Sequence, residues 1–288
     1  APGSDVDISC ESGAPGYWRL CVADRGPGIP RDRQRELFTP FTRFTEEDPA
    51  RAGSSSGLGL SLARQIVINA GGLNPAGLAD AVRALAGRLG IPVRVAHVEG
   101  DDLTARYPGS LAAHAYLGGS GIAECLRAGA DVVVTGRVTD AALVTGPAAA
   151  HFGWAATDHD RLAGAVVAGH VLECGTQATG GNYAFFTEHP PGALRRPGFP
   201  LAEIHADGTC VLTKHPGTGG FLDVGTVTAQ LLYETGGARY AGPDVTVRLD
   251  TVRLRQDGPD RVRVEGVRGE APPPTRKAGL NRFGGFRN

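Results

Sequence analysis

His170 and Cys174 stand four residues apart in His170-Val171-Leu172-Glu173-Cys174 and so share one helix face, with Glu173 between them. An imidazole beside a thiol can activate it as a nucleophile. A small buried cysteine beside a hydrogen-bonded histidine is the plainer alternative. A second set of polar groups follows three short apolar runs: Asn69 and Asn74, then Asp101 and Asp102, then Arg137 and Asp140. Amides, carboxylates and a guanidinium at such positions suit a small anionic or polar ligand. A third set is Lys214 followed by Gly217, Thr218, Gly219 and Gly220 ahead of a helical stretch. A lysine, a glycine loop and a helix N-terminus can cradle an anion. The loop could equally be a flexible connector, and it is not a Walker A loop because G-K-[ST] is missing. Near the start, Asp24-Arg25-Gly26-Pro27-Gly28 places a carboxylate at a strand end with two glycines after it. Asp24 could accept from an exocyclic base amine, and Gly57 and Gly59 precede a helix whose free N–H groups suit phosphate.

These groups need elements to hold them. Residues 5–9 and 17–23 read as strands with Gly13, Pro15 and Gly16 in the turn. Residues 31–37 read as a short helix, 46–57 as a loop, and a further helix begins near Leu58. From about residue 66 the apolar runs 66–68, 93–98 and 132–134 read as buried parallel strands. A helix over 76–89 aligns Leu78, Val82, Leu85 and Leu89, with Pro75 at its start and Gly90 after its end. A second helix covers 121–128. Strand alternating with helix argues a parallel α/β layer. In such a layer ligands sit beyond the strands' carboxyl ends, so the second polar set is expected to share one crevice, with Asn74, Asp102 and Arg137 in a common hollow. A helix over 160–173 follows. Strands at 201–205 and 209–213 flank Asp207-Gly208, a hairpin signal. A helix over 222–234 precedes strands at 244–250, 252–256 and 261–267. The expected fold is therefore a parallel-sheet α/β module with an antiparallel β-rich C-terminal part, preceded by a truncated α+β fragment.

Composition narrows the function. The 288 residues carry a formal net charge of −1, which gives no pull toward nucleic acid or an anionic membrane. No apolar run approaches a membrane span. The five cysteines are widely spaced and contain no C-x-x-C, so a disulfide framework or metal site is not expected, and a reducing cytoplasm is the natural compartment. There is no methionine, which suggests a piece of a longer reading frame.

The first 67 residues resemble the ATP-binding domain of sensor histidine kinases. Residues 24–28 match that family's first glycine box, residues 36–44 (ELFTPFTRF) its phenylalanine box, and residues 57–60 (GLGL) its second glycine box. The resemblance implies ATP as a cofactor, adenine recognition by Asp24 with Gly26 and Gly28, a lid near Phe38 and Phe41, and phosphate contact at Gly57 and Gly59. The family's asparagine box and phospho-accepting histidine helix are not in the sequence, so weak nucleotide binding without kinase activity is expected.

Residues from about 68 to 288 resemble the acyclic terpene utilisation protein A family. The matching runs are 69–75 (NAGGLNP), 98–102 (VEGDD), 113–118 (AHAYLG), 136–140 (GRVTD), 169–181 (GHVLECGTQATGG) and 213–220 (TKHPGTGG). The resemblance implies bacterial breakdown of acyclic terpenes such as citronellol and geraniol through CoA thioesters, with a terpenoid or acyl-CoA-like substrate. It leaves the reaction and the oligomeric state open. The family's first strands and its C-terminal end are not present.

The two likenesses meet at 66–72, where the kinase-like reading asks for a helix and the terpene-family reading for a strand. A join of two truncated genes is the expected origin. Three functions follow: a catabolic protein acting on an anionic acyl substrate, an ATP-binding signalling fragment, or a fusion without activity.

Overall fold

The computed structural model describes residues 6–12 and 18–24, as backbone, and residues 65–284. The chain divides into two compact units, Ala1–Arg64 and Gln65–Asn288. In the first, β1 (Val6–Ser12) and β2 (Trp18–Asp24) form an antiparallel pair with Val6 opposite Asp24 and Ser12 opposite Trp18. Asp24 is the last residue of β2. Gly26, Gly28, Phe38, Phe41, Gly57 and Gly59, with the expected elements over 31–37, 46–57 and from Leu58, lie outside the described residues.

The second unit opens with β3 (Ile66–Ile68), α1 (Pro75–Leu89), β4 (Val95–Val98), β5 (Ala112–Ala115), α2 (Ser120–Arg127) and β6 (Val132–Thr135). Residues 66–68 are thus a strand. β3 and β4 both pair parallel to β6, which lies between them. Only β6 is well buried. As edges, β3 and β4 stay half-exposed, and Ile66 is 49% exposed where burial was expected.

The leucine stripe of α1 also turns out differently. The helix buries Pro75, Ala79 and Ala86, and leaves Leu85 and Leu89 exposed. Small side chains let it lie close on β4 and β6, and a sheet of three strands is too narrow to cover the leucine flank as well. Asn74 caps the helix, its Oδ1 accepting from Gly77 N–H, and Gly90 ends it in the left-handed region.

Next come α3 (Ala142–Phe152) and α4 (His159–Leu172). Residues 162–171 of α4 are all buried, so this helix is the axis of the main core, where Leu162, Val167 and Val171 meet Leu212, Leu222, Val247 and Val264. An all-round apolar helix is what such a position requires. Around it lie β7 (Pro200–Ile204), β8 (Cys210–Lys214), α5 (Val224–Leu232), β9 (Arg239–Ala241), β10 (Thr246–Arg248), β11 (Arg253–Gln256), β12 (Val262–Glu265), β13 (Arg268–Glu270) and β14 (Ala278–Asn281). They form an antiparallel sheet β11-β12-β8-β7, a second β13-β10-β9, and a pair β14-β5. The β7–β8 hairpin turns at Asp207-Gly208, with Gly208 at φ 87°. Asp223 caps α5 in a capping box with Thr226. No helix of the described residues is long and apolar enough to cross a membrane.

Candidate functional site

The ends of the three parallel strands do converge, but with a division of labour. Asp101, 4% exposed, is a brace. Its Oδ2 accepts from the Arg137 backbone N–H at 2.7 Å and faces His114 Nδ1 at 3.0 Å. Gly136 leaves room for this carboxylate, since a Cβ there would press against it. Asn69 Nδ2 donates to Asp140 Oδ1 at 3.4 Å. Asn74 and Asp102 are turned to local work instead: Asn74 caps α1, and Asp102 accepts from the Thr104 backbone at 2.8 Å; the Thr104 hydroxyl first, then this backbone N–H, hold its carboxyl below the usual range. Neither lines the cavity that Arg137 enters, so the common hollow expected for Asn74, Asp102 and Arg137 does not form.

That cavity has a volume of about 740 Å³ and is bipolar. Arg137, Arg276 and Lys277 supply positive charge. Arg137 Cζ lies 5.0 Å from the centre of the Tyr116 ring, and Lys277 Nζ lies 4.8 Å from the same ring. None of the three cations has a carboxylate within 4 Å among the described residues. The pairing of β5 with β14 brings Arg276 and Lys277 there, since Tyr116 N–H donates to the Lys277 carbonyl at 2.9 Å, while Arg137 follows β6 and its carbonyl accepts from Leu117 N–H at 3.3 Å. Asp140, Glu173 and Glu234 supply acidic groups to the same lining, and Tyr240 a phenol that burial keeps protonated. Asp244 also lines the cavity, and both its oxygens accept from Gly119 N–H at the start of α2. Burial pushes the Asp244 carboxyl up.

Glu173, just past the end of α4, is the most perturbed carboxyl of the lining. Burial, with Asp140 and Glu234 facing it, pushes it up to about 7. Its neighbour His170 is 3% exposed, and burial pushes that imidazole down. His170 Nε2 lies 3.0 Å from the Tyr233 carbonyl, and its Nδ1 lies 3.4 Å from Glu173 Oε1. Both ring nitrogens therefore face groups other than Cys174, and the expected Cys–His pair is not formed. Burial raises the Cys174 thiol, which favours the inert protonated form. Glu234 sits at φ 57°, a left-handed backbone that is strained for a glutamate.

The glycine loop is separate from this cavity. Lys214, 7% exposed, is engaged by the Asp260 carboxylate at 3.0 Å and donates to the Thr218 carbonyl at 2.9 Å. Its ammonium ties down the loop that carries Gly217, Thr218, Gly219 and Gly220. The expected anion cradle would need that charge uncommitted. Of the groups named from sequence, the cavity gathers Arg137, Asp140 and Glu173. Sequence reading missed Tyr116, Glu234, Tyr240, Asp244, Arg276 and Lys277. A usable signal was Lys277, one of two lysines in the chain. No group of three or more His, Cys, Asp or Glu among the described residues could hold a metal.

The second unit thus joins an α/β layer to a charged cavity lined by residues just past the end of β6. The profile of the acyclic terpene utilisation family protein AtuA matches residues 61–288, and the chain belongs to that family. A second profile, the histidine kinase-, DNA gyrase B- and HSP90-like ATPase, matches residues 1–98. The N-terminal part is similar to the signal transduction histidine-protein kinase/phosphatase MprB. Identity is 40% over 72 residues with that of Mycobacterium avium, covering 25% of this chain and 13% of that protein. It is 42% over 72 residues with that of Mycobacterium tuberculosis strain H37Rv, covering 25% and 14%. The chain thus spans about one seventh of the length of these curated relatives. No solved structure matches the chain. The two profiles share residues 61–98, and from Ile66 onward this stretch is built into the second unit through β3 and β4.

Proposed function

We propose that the second unit is a cytoplasmic catabolic protein that binds an anionic acyl substrate of the CoA-thioester type, as expected for acyclic terpene breakdown, in the cavity between Arg137 and Glu173. One observation carries this reading. Arg137, Arg276 and Lys277 line one cavity, two of them against Tyr116, and none has a carboxylate within 4 Å among the described residues, although Asp244 in the same lining attracts Arg276 from further away. Cations without a salt-bridge partner, beside aromatic and aliphatic surface (Tyr240, Ala141, Val166 and Pro243), suit a ligand with a charged or polarised head and an apolar chain. Calorimetric titration with an acyl-CoA tests it. Wild-type protein should bind, and Arg137→Ala should weaken binding at least tenfold, matching the roughly 1.5–3 kcal/mol of a hydrogen bond to a charged group. Equal affinity in the variant would remove this cavity as the site.

A second reading concerns the first unit. The ATPase profile and the MprB relatives favour a nucleotide-binding fragment in which Asp24 recognises adenine. A melting shift with an ATP analogue, lost in Asp24→Asn, would support it. A joined product without activity is the outcome left if neither thioester nor nucleotide shifts the transition.

A further inference from the structure

The hydrogen-bond chemistry of His170 decides what Glu173 does. Nε2 lies 3.0 Å from the Tyr233 carbonyl, which only accepts, so Nε2 carries the proton. In the neutral ring Nδ1 is then a lone pair. It is buried, and no described group is aligned to donate to it. Glu173 Oε1 lies 3.4 Å away. An ionised carboxylate there would set lone pair against lone pair. A protonated one can donate its O–H to Nδ1 and satisfy the orphaned nitrogen. No described residue donates a hydrogen bond to Glu173 Oε2, and Glu173 lines the cavity, so one oxygen is free to face a ligand.

We propose that Glu173 is the acid–base group of this cavity, exchanging a proton with the carbon next to the carbonyl of a bound acyl thioester, while His170, its tautomer set by the Tyr233 carbonyl, positions the carboxyl through Nδ1. The choice of thioester rests on the substrate reading above. In the forward step the Glu173 carboxylate takes the α-proton. The C–H bond breaks, an O–H bond forms on Glu173, and the electron pair moves into the carbonyl to give an enolate, whose negative charge the cationic wall around Arg137 offsets. The new O–H forms on Oε2, and a half-turn of the carboxyl about its Cγ–Cδ bond presents it to His170 Nδ1. Reversal returns a proton to carbon, and no oxidant or reductant is consumed. The charged and titratable groups facing Glu173 are His170 and Cys174 from its own segment, Asp140 from the loop before α3, Tyr233 and Glu234 after α5, and Tyr240 of β9. Burial first, then the charges of Asp140 and Glu234, push Glu173 up to about 7, where it can both give and take a proton at neutral pH.

The full chain is incubated with 3-methylbutanoyl-CoA in D₂O, and the C2 protons are followed by NMR. Protein-dependent exchange is expected, with an inflection near pH 7. Glu173→Gln should slow exchange at least 100-fold while changing thioester affinity less than threefold. His170→Gln, whose amide can donate to the carboxylate, should move the inflection to lower pH, which a purely structural role would not do. In a separate measurement without ligand, infrared difference spectra should show a protonated carboxyl band that titrates near pH 7 and is missing in Glu173→Gln. Absence of that band, or thioester binding without exchange, overturns the proposal. Failure of the thioester to bind overturns the substrate reading instead, a result that binding without exchange cannot give.

Discussion

Asp101→Ala removes the acceptor that fixes the first residue of the basic wall. The carboxylate's side chain is 5% exposed, and one oxygen serves both Arg137 N–H and His114 Nδ1. Each hydrogen bond to a charged group contributes about 1.5–3 kcal/mol, and its loss strands a donor in a buried place. Water can enter part of the emptied volume and recover some of that loss. The net destabilisation worked from these terms is about 3–4 kcal/mol. For a unit of this size about 2–4 °C accompanies each kcal/mol, so the melting transition of the Gln65–Asn288 unit should fall by about 6–16 °C. Asp101→Asn keeps an oxygen that can accept from both donors, and should lose no more than about half as much. Asp102→Ala, next along the chain but exposed, should melt close to wild type. Because Asp101 holds the backbone of Arg137, acyl-CoA affinity should drop in Asp101→Ala even below the melting range. Scanning calorimetry and titration read both effects. A loss under about 1 kcal/mol for Asp101→Ala would refute the view that this carboxylate braces the strand end.

Two further outcomes bear on the same unit. The Glu173 carboxyl is raised from its ordinary 4.5 to about 7 in the folded chain, so between those values the native state keeps a proton that the unfolded state has released. Stability from this group is therefore full at low pH, falls as pH climbs through that window by about 3 kcal/mol, and is level above it. Glu173→Gln should abolish that slope, so urea unfolding should find it close to wild type at pH 4.5 and about 3 kcal/mol more stable at pH 8; parallel pH profiles would contradict the assignment. Gly164→Ala puts a methyl from α4 against the Gly208 carbonyl of the β7–β8 turn. Helix propensity alone would favour alanine by about 1 kcal/mol, whereas the backbone contact costs about 1–3 kcal/mol or more, so a net loss of stability is expected. A gain on thermal melting would show that the helix can shift away from the hairpin.

The local elements were legible because local chemistry specifies them. Asp207-Gly208 gives the hairpin, Pro75 and Gly90 bracket α1, and the valine run makes β6. What the sequence hid is set by neighbours. The leucines of α1 read as a core stripe, yet the sheet beneath is three strands wide and takes the alanine face. Lys214 read as a free cation beside a glycine loop, and only the fold brings Asp260 to it. The cavity's basic wall is the clearest case. It depends on β5, Ala-Ala-His-Ala, pairing with β14, Ala-Gly-Leu-Asn. Alanine, glycine and asparagine are poor strand formers, so neither segment announces itself. Ala113 and Ala115 are nonetheless buried, and their small side chains fit where larger β-formers would not. The pairing carries Lys277 and Arg276 across more than half the chain to Tyr116, whose ring also meets Arg137. The acidic lining is assembled the same way, with Asp140, Glu173 and Glu234 drawn from three connections around α3, α4 and α5. Burial of a carboxyl, and its crowding by two others, arise only once folding has brought these segments together, and that cost is what tunes Glu173. The chemistry of this cavity is thus a property of tertiary contacts between weakly marked segments, so changes in β5 or β14 should alter the cavity's charge as surely as changes to the charged residues themselves.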